Sequence, residues 1–160
     1  MPITIRHATT SDLPTLFEFE QGVIAKERPF DPTLKAGHIN YYELEKMLQQ
    51  DHVMIAVAEV DGLVVGSGYA RIETAKPYLE HEQYAYLGFM YVREAYRGQG
   101  INAKIIETLE QWSFSRGIKE LRLEVYVDNE NAIRAYEKQG FGKLMYVMRK
   151  SLDSPWTVDH

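Results

Sequence analysis

The residues whose types and spacing carry the most chemistry are Arg97-Gly98-Gln99-Gly100-Ile101-Asn102. Closely spaced glycines let a backbone approach a ligand. The apolar periodicity that begins at Ile101 reads as a helix, and a helix start offers N–H groups without intrahelical partners. Together these make an anion site that needs little side-chain charge, and Arg97 adds one cation. The stretch lacks the Gly-Lys-Ser/Thr ending that reaches a nucleotide's phosphates and magnesium. It also lacks the three-glycine dinucleotide fingerprint. On spacing alone, a glycine-rich turn before a helix explains the same residues, and both readings stand at this point.

The surrounding elements must hold that loop. Ile3 to Arg6 alternates like a short strand, and Thr9 to Asp12 supplies N-cap candidates for a helix carrying Leu13, Leu16, Phe17 and Phe19. Residues 26–40 contain Pro29, Pro32 and Gly37 and read as a loop, followed by a short helix over Tyr41 to Gln50. Val53–Val60 and Leu63–Ile72 flank Asp61-Gly62, a strong hairpin signal because both residues accept positive φ. Residues 74–83 read as a loop and Tyr84–Val92 as a strand. Ile101, Ile105, Leu109 and Trp112 then share a helix stripe that Gly117 ends. Leu121 to Val127 has period two, with Arg122, Glu124 and Tyr126 on its polar face. Asn131 to Gln139 is a short helix, Leu144 to Met148 a last strand, and Asp153 to His160 a loose tail. This order predicts an α/β (α+β) fold: a mixed, mostly antiparallel central sheet with helices on both faces, forming one domain over residues 1–152.

Composition narrows the partners. The chain has 160 residues, 45% apolar and 26% charged, enough for an ordinary core, and no cysteine. That excludes a disulfide framework, a thiolate zinc site and a cysteine nucleophile, and it fits a cytoplasmic protein. A net charge of −5 argues against a general nucleic-acid binder, so any anion site is local. No run has the length and apolarity of a membrane span, and the start lacks a signal peptide's pattern. His7, His38, His52, His81 and His160 show no metal-ligand spacing, and no metal is expected.

With a second motif in view, the sequence resembles the GNAT superfamily of N-acetyltransferases. The family's Gln/Arg-x-x-Gly-x-Gly/Ala signature is matched by Arg97, Gly100 and Asn102. Its Asn-x-x-Ala, Tyr, Gly-Phe signature is matched by Asn129, Ala132, Tyr136, Gly140 and Phe141. Either is weak alone, and the pair at this spacing is specific. Asn102 departs from the small residue usual at its position and offers a phosphate a side-chain donor. Glu94 stands where relatives commonly carry proline.

The resemblance implies acetyl-CoA as co-substrate and direct transfer of its acetyl group to a small amine or peptide, with a homodimer possible. It places the pyrophosphate on Arg97, Gly98, Gln99, Gly100, Ile101 and Asn102. It lays the pantetheine arm along a splayed strand at Met90, Tyr91 and Val92, and adds Asn129 as a cofactor contact. It makes Tyr136 the acid for the leaving thiolate, since a phenol with a pKa of ~10 is protonated at neutral pH. Glu124 matches a catalytic glutamate of ribosomal-protein N-terminal acetyltransferases and becomes the candidate base; Glu80, His81 and Glu82 are weaker rivals. Each role has a plainer alternative: Glu124 paired with Arg122, Tyr136 a core residue with its hydroxyl at the rim, and Asn129 a helix cap. A non-catalytic acyl-CoA-binding sensor module is the alternative to an enzyme. The expected acceptor site lies between the loops at 26–40 and 74–83.

Overall fold

A computed structural model describes residues 2–153. They form two compact units, one ending at Asn129 and the other beginning at Glu130.

The first unit is a five-stranded sheet in the order β1 (Ile3–His7), β2 (Val53–Val60), β3 (Leu63–Thr74), β4 (Gln83–Val92) and β5 (Leu121–Arg122). The first three pairings are antiparallel and β4–β5 is parallel. Asp61 and Gly62, at φ 51° and 80°, form the tight connection between β2 and β3. Such a turn matches the right-handed twist of the strands it joins.

Helices lie on both faces. Leu16, Phe19 and Val23 of α1 (Leu13–Glu27) and Leu44 and Met47 of α2 (Leu44–Met47) pack with Val53, Ile55 and Val57 of β2 and with Tyr69 and Phe89. On the opposite face α3 (Ile101–Ser115) buries Ile101, Ile105 and Leu109. It sits directly on β3. A Cβ at Gly68 would stand 2.8 Å from Ile105 Cγ2, so the close approach requires glycine. Because β2 is covered on both sides, its sequence from Val53 to Ala58 is a continuous apolar run.

Several elements differ from expectation. The helix expected over Tyr41–Gln50 shrinks to Leu44–Met47. The buried Glu20 carboxylate accepts the backbone N–H groups of Tyr41 (2.8 Å) and Tyr42 (2.7 Å), which fixes this chain outside a helix. The loop expected from residue 26 instead begins with the end of α1 and a single 3-10 turn at Arg28–Phe30. The strand expected over 121–127 pairs only at Leu121 and Arg122, because β4 then parts from it.

The second unit carries α4 (Glu130–Lys138). The Tyr136 carbonyl accepts N–H groups from Gln139 and Phe141, and Gly140 at φ 95° permits that closure. Residues 144–148, expected as a strand, have no regular structure and are exposed. A short apolar run supplies the pattern of a strand but not its ladder partner. Of the expected tail, only Asp153 lies within the described residues.

Candidate functional site

The local geometry starts with an irregularity in β4. Ser67 pairs with Tyr91 and Tyr69 with Gly88, so Phe89 and Met90 together oppose Gly68. This extra residue bulges the strand, and Phe89 takes the left-handed region at φ 60°. Phe89 is buried, and its carbonyl accepts the buried Ser67 hydroxyl at 3.0 Å. On the other edge, β4 pairs with β5 only at Ala85↔Leu121 and Tyr86↔Arg122. From Leu87 to Val92 that edge has no strand beside it among the described residues. Met90, Tyr91 and Val92 are therefore on an open, bent strand end.

The Arg97 loop follows directly. After a 3-10 turn at Glu94–Tyr96, Gly98 and Gly100 adopt φ 79° and 80°, and Gly100 is the N-cap of α3. A glycine cap brings no side-chain acceptor, and no cap hydrogen bond forms, so the first N–H groups of α3 face outward unclaimed by a cap. No atom outside the adjoining chain lies within 4 Å of where a Cβ would stand at either glycine. Gln99 is exposed, Asn102 is half-buried, and Ile101 anchors the turn by burying its side chain under β3. Two surface recesses beside α2, of about 260 and 740 Å³, include no residue of this loop.

Arg97 is aimed by its neighbours. Its Nε donates to the Val92 carbonyl at 2.9 Å, and its guanidinium carbon lies 5.8 Å from the Tyr91 ring centre. The terminal nitrogens remain for a ligand. Tyr91 is held in turn by Phe19, with ring centres 4.8 Å apart, and by Gly22 of α1, where a Cβ would come within 2.4 Å of the ring. Burial and the charge of Arg97 push the Lys26 ammonium below its usual range, against the opposing effect of Glu94. A second cation thus stands within electrostatic reach of Arg97, an arrangement that a bound polyanion relieves.

Glu124 is exposed and accepts the Tyr86 hydroxyl at 2.9 Å. Arg122 is bonded to Glu120 at 3.2 Å and lies over the Tyr84 ring, so the Glu124–Arg122 pair is not formed. His81 approaches Arg122 at 3.4 Å, while Glu80 and Glu82 are exposed. Near the C-terminal end of α1, burial raises the Glu27 carboxyl above its ordinary range. The neighbouring Tyr41 phenol partly offsets this, although its buried hydroxyl is outside formed hydrogen-bond geometry with any described residue. Tyr126 donates to Asp31 at 3.2 Å and its ring stacks with Phe30. The segment after α1 therefore carries acids among aromatic rings.

Asn129, half-buried, donates its backbone N–H to the Tyr126 carbonyl at 2.9 Å. In the second unit Tyr136 is half-buried on α4, with its ring edge-on to Phe141 at 5.9 Å. Within the first unit the structure brings Tyr91, Val92 and Arg97 together and leads from them into the helix start. Sequence reasoning missed Tyr86, Ser67 and Gly22. Only Tyr86 left a signal, as a tyrosine in a strand whose alternate neighbours Tyr84 and Gly88 are also not aliphatic.

Comparison with known proteins identifies the family and the fold. The pattern of the Acetyltransferase (GNAT) family matches residues 21–141. An acetyltransferase of Yersinia pestis is 34% identical over 96 residues, which are 60% of this chain and 62% of that protein. The chain thus matches less than two thirds of that relative's length. A Bacillus halodurans protein shares the fold with a TM-score of 0.84 at 17% identity, covering 93% of this chain and 99% of that one. A predicted acetyltransferase from Clostridium acetobutylicum, solved with acetyl-CoA, gives a TM-score of 0.70 at 17% identity, covering 94% and 97%. Matched over most of its length by the family pattern, the chain belongs to the GNAT acetyltransferase family.

Proposed function

We propose that this protein transfers the acetyl group of acetyl-CoA to a primary amine: a peptide N-terminus, a lysine or a small polyamine. The observation that carries the reading is the uncapped start of α3, reached through Gly98 and Gly100 at positive φ, with Arg97 fixed beside it. Backbone donors, one aimed guanidinium and free space fit a pyrophosphate without a broad basic face. The unpaired edge of β4 fits an extended amide-bearing arm, because an open strand edge offers its own N–H and C=O groups. The likeness to a structure holding acetyl-CoA supports the same assignment.

Bound acetyl-CoA supplies an activated acyl group. In this reading Arg97, Asn102 and the α3 N–H groups hold its phosphates, with Gln99 and Ile101 shaping the turn. Met90, Tyr91 and Val92 orient the arm, and Asn129 contributes a further contact. A backbone N–H at the β4 bulge polarises the acyl oxygen in this reading, a role in which fixed donors act strongly. Glu124 takes the proton from the acceptor ammonium, the freed amine attacks the acyl carbon, and Tyr136 gives a proton to the departing sulfur as the C–S bond breaks. The acids Glu27 and Asp31 favour a cationic acceptor.

Release of free thiol from acetyl-CoA, measured across peptides, lysine derivatives and polyamines, tests this. Amine-dependent release that matches formation of the N-acetyl product is expected. Binding of acetyl-CoA without release on any amine would leave a sensor module instead.

A further inference from the structure

Where β4 and β5 part, one side-chain hydrogen bond crosses the gap. Tyr86↔Arg122 is the last backbone pair of the two strands, and Glu124 lies two residues beyond it. The Tyr86 hydroxyl donates to Glu124 Oε1 at 2.9 Å. We propose that Tyr86 is a positioning residue: its hydroxyl holds the Glu124 carboxylate in one rotamer at the mouth of the strand opening and leaves the second oxygen for the acceptor amine. This rests on the reading of Glu124 as the base.

Both ends of the bond support the role. Glu124 is exposed and makes no ion pair among the described residues, so the Tyr86 bond is what restrains its three rotatable bonds. Arg122, the cation nearest in sequence, is turned toward Glu120, His81 and the Tyr84 ring. Tyr86 by contrast is fixed. Its ring lies 6.4 Å from that of Tyr69, and the Arg71 guanidinium carbon stands 5.6 Å from the Tyr69 ring centre and 5.4 Å from that of Tyr86. Arg71 is bonded in turn to Glu73.

A carboxylate has about four lone-pair sites, so one bond from Tyr86 leaves acceptor capacity for an ammonium. Burial, with the Glu124 bond, pushes the Tyr86 phenol well above its ordinary range, so it remains a donor wherever amines are acetylated. Tyr86 keeps its proton throughout; the ammonium proton passes to the free oxygen of Glu124.

The experiment compares Tyr86→Phe, Glu124→Gln and the double variant with acetyl-CoA and spermidine, an alanyl dipeptide and lysine methyl ester, using the fastest of these amines. Tyr86→Phe keeps the ring between Tyr69 and Arg71 and removes only the donor. Its kcat should fall roughly 3- to 10-fold, the dilution expected when a side chain held in one staggered well regains the others. The KM for acetyl-CoA should not change. The double variant should be no slower than Glu124→Gln alone, since a residue acting through another adds nothing once its partner is gone. In glutamate-labelled protein without amine, the Glu124 carboxyl carbon resonance should move in Tyr86→Phe. Multiplying losses in the double variant, or a parental kcat in Tyr86→Phe while Glu124→Gln is slow, would overturn the positioning role and spare the base. A parental kcat in Glu124→Gln would remove the base assignment, and the positioning role with it.

Discussion

The buried Ser67 hydroxyl donates to the Phe89 carbonyl across 3.0 Å, at the residue where β4 bulges. Phe89 holds a left-handed backbone that bulky residues rarely adopt, so its neighbours must fix it there. Ser67→Ala leaves a buried carbonyl without this donor, and a loss of about 1–3 kcal/mol in urea unfolding is expected. Because the bulge bends the strand end, the KM for acetyl-CoA should also rise. A stability loss with unchanged KM would separate the bulge from the cofactor arm.

Acetyl-CoA should raise the melting temperature while ATP and NAD at equal concentration do not. Ligand present at 100 times its Kd stabilises by about 2.7 kcal/mol when it binds only the folded state. Scanning fluorimetry decides this, and equal protection by ATP would reduce the Arg97 loop to a generic phosphate site.

Gly22→Ala tests the support behind Arg97. The new methyl would enter the Tyr91 ring, which already packs on Phe19, so overpacking of about 1–3 kcal/mol is expected. Displacement of the ring should also weaken acetyl-CoA binding in calorimetry. Gly100→Ala should weaken it by another route, since nothing crowds that position and only its φ of 80° opposes a side chain.

Tyr136→Phe should lower kcat by about 100- to 10,000-fold if the phenol is the acid, with acetyl-CoA affinity retained. Rapid-quench kinetics on a single turnover reads the chemical step directly. A normal rate there would return Tyr136 to its packing against Phe141.

Asp12 sets an acid limit on stability. Arg6 donates to both of its oxygens, at 2.8 and 2.9 Å, and holds the carboxyl below its usual range, assisted by the Thr9 N–H at 2.7 Å. A depressed folded pKa means the contribution is complete above the unfolded value of about 3.9 and is lost as pH falls through the folded one. Asp12→Asn should therefore lower the melting temperature at pH 7 and narrow its gap to the parent toward pH 3. A pH-independent gap would assign Asp12 a purely geometric role.

The loop and α3 were legible because glycine spacing and a four-residue apolar stripe are local signals. The same holds for the Asp61-Gly62 hairpin. What failed was non-local. Nothing near Tyr41 in sequence announces that Glu20 will claim its N–H, and the apolar run of Leu144 to Met148 cannot create a pairing partner. Tyr86 escaped notice for the same reason: its partner lies 38 residues away on a parallel neighbour. The Arg122–Glu124 pair looked natural from spacing, yet Glu120, also two residues from Arg122, takes that role.

The extra residue in β4 also changes the strand's parity. Tyr86 and Tyr91 are an odd number of positions apart, so an unbroken strand would present them to opposite faces. Yet both pack against the core beneath α1 and α2, while Met90 turns toward Gly68 and Ile105. A single inserted position thus lets one face of the sheet carry both the tyrosine that meets Glu124 and the tyrosine beneath Arg97. Straightening the bulge with both Phe89 and Met90 retained would reverse the facing of everything downstream, and the two tyrosines would serve opposite sides of the sheet.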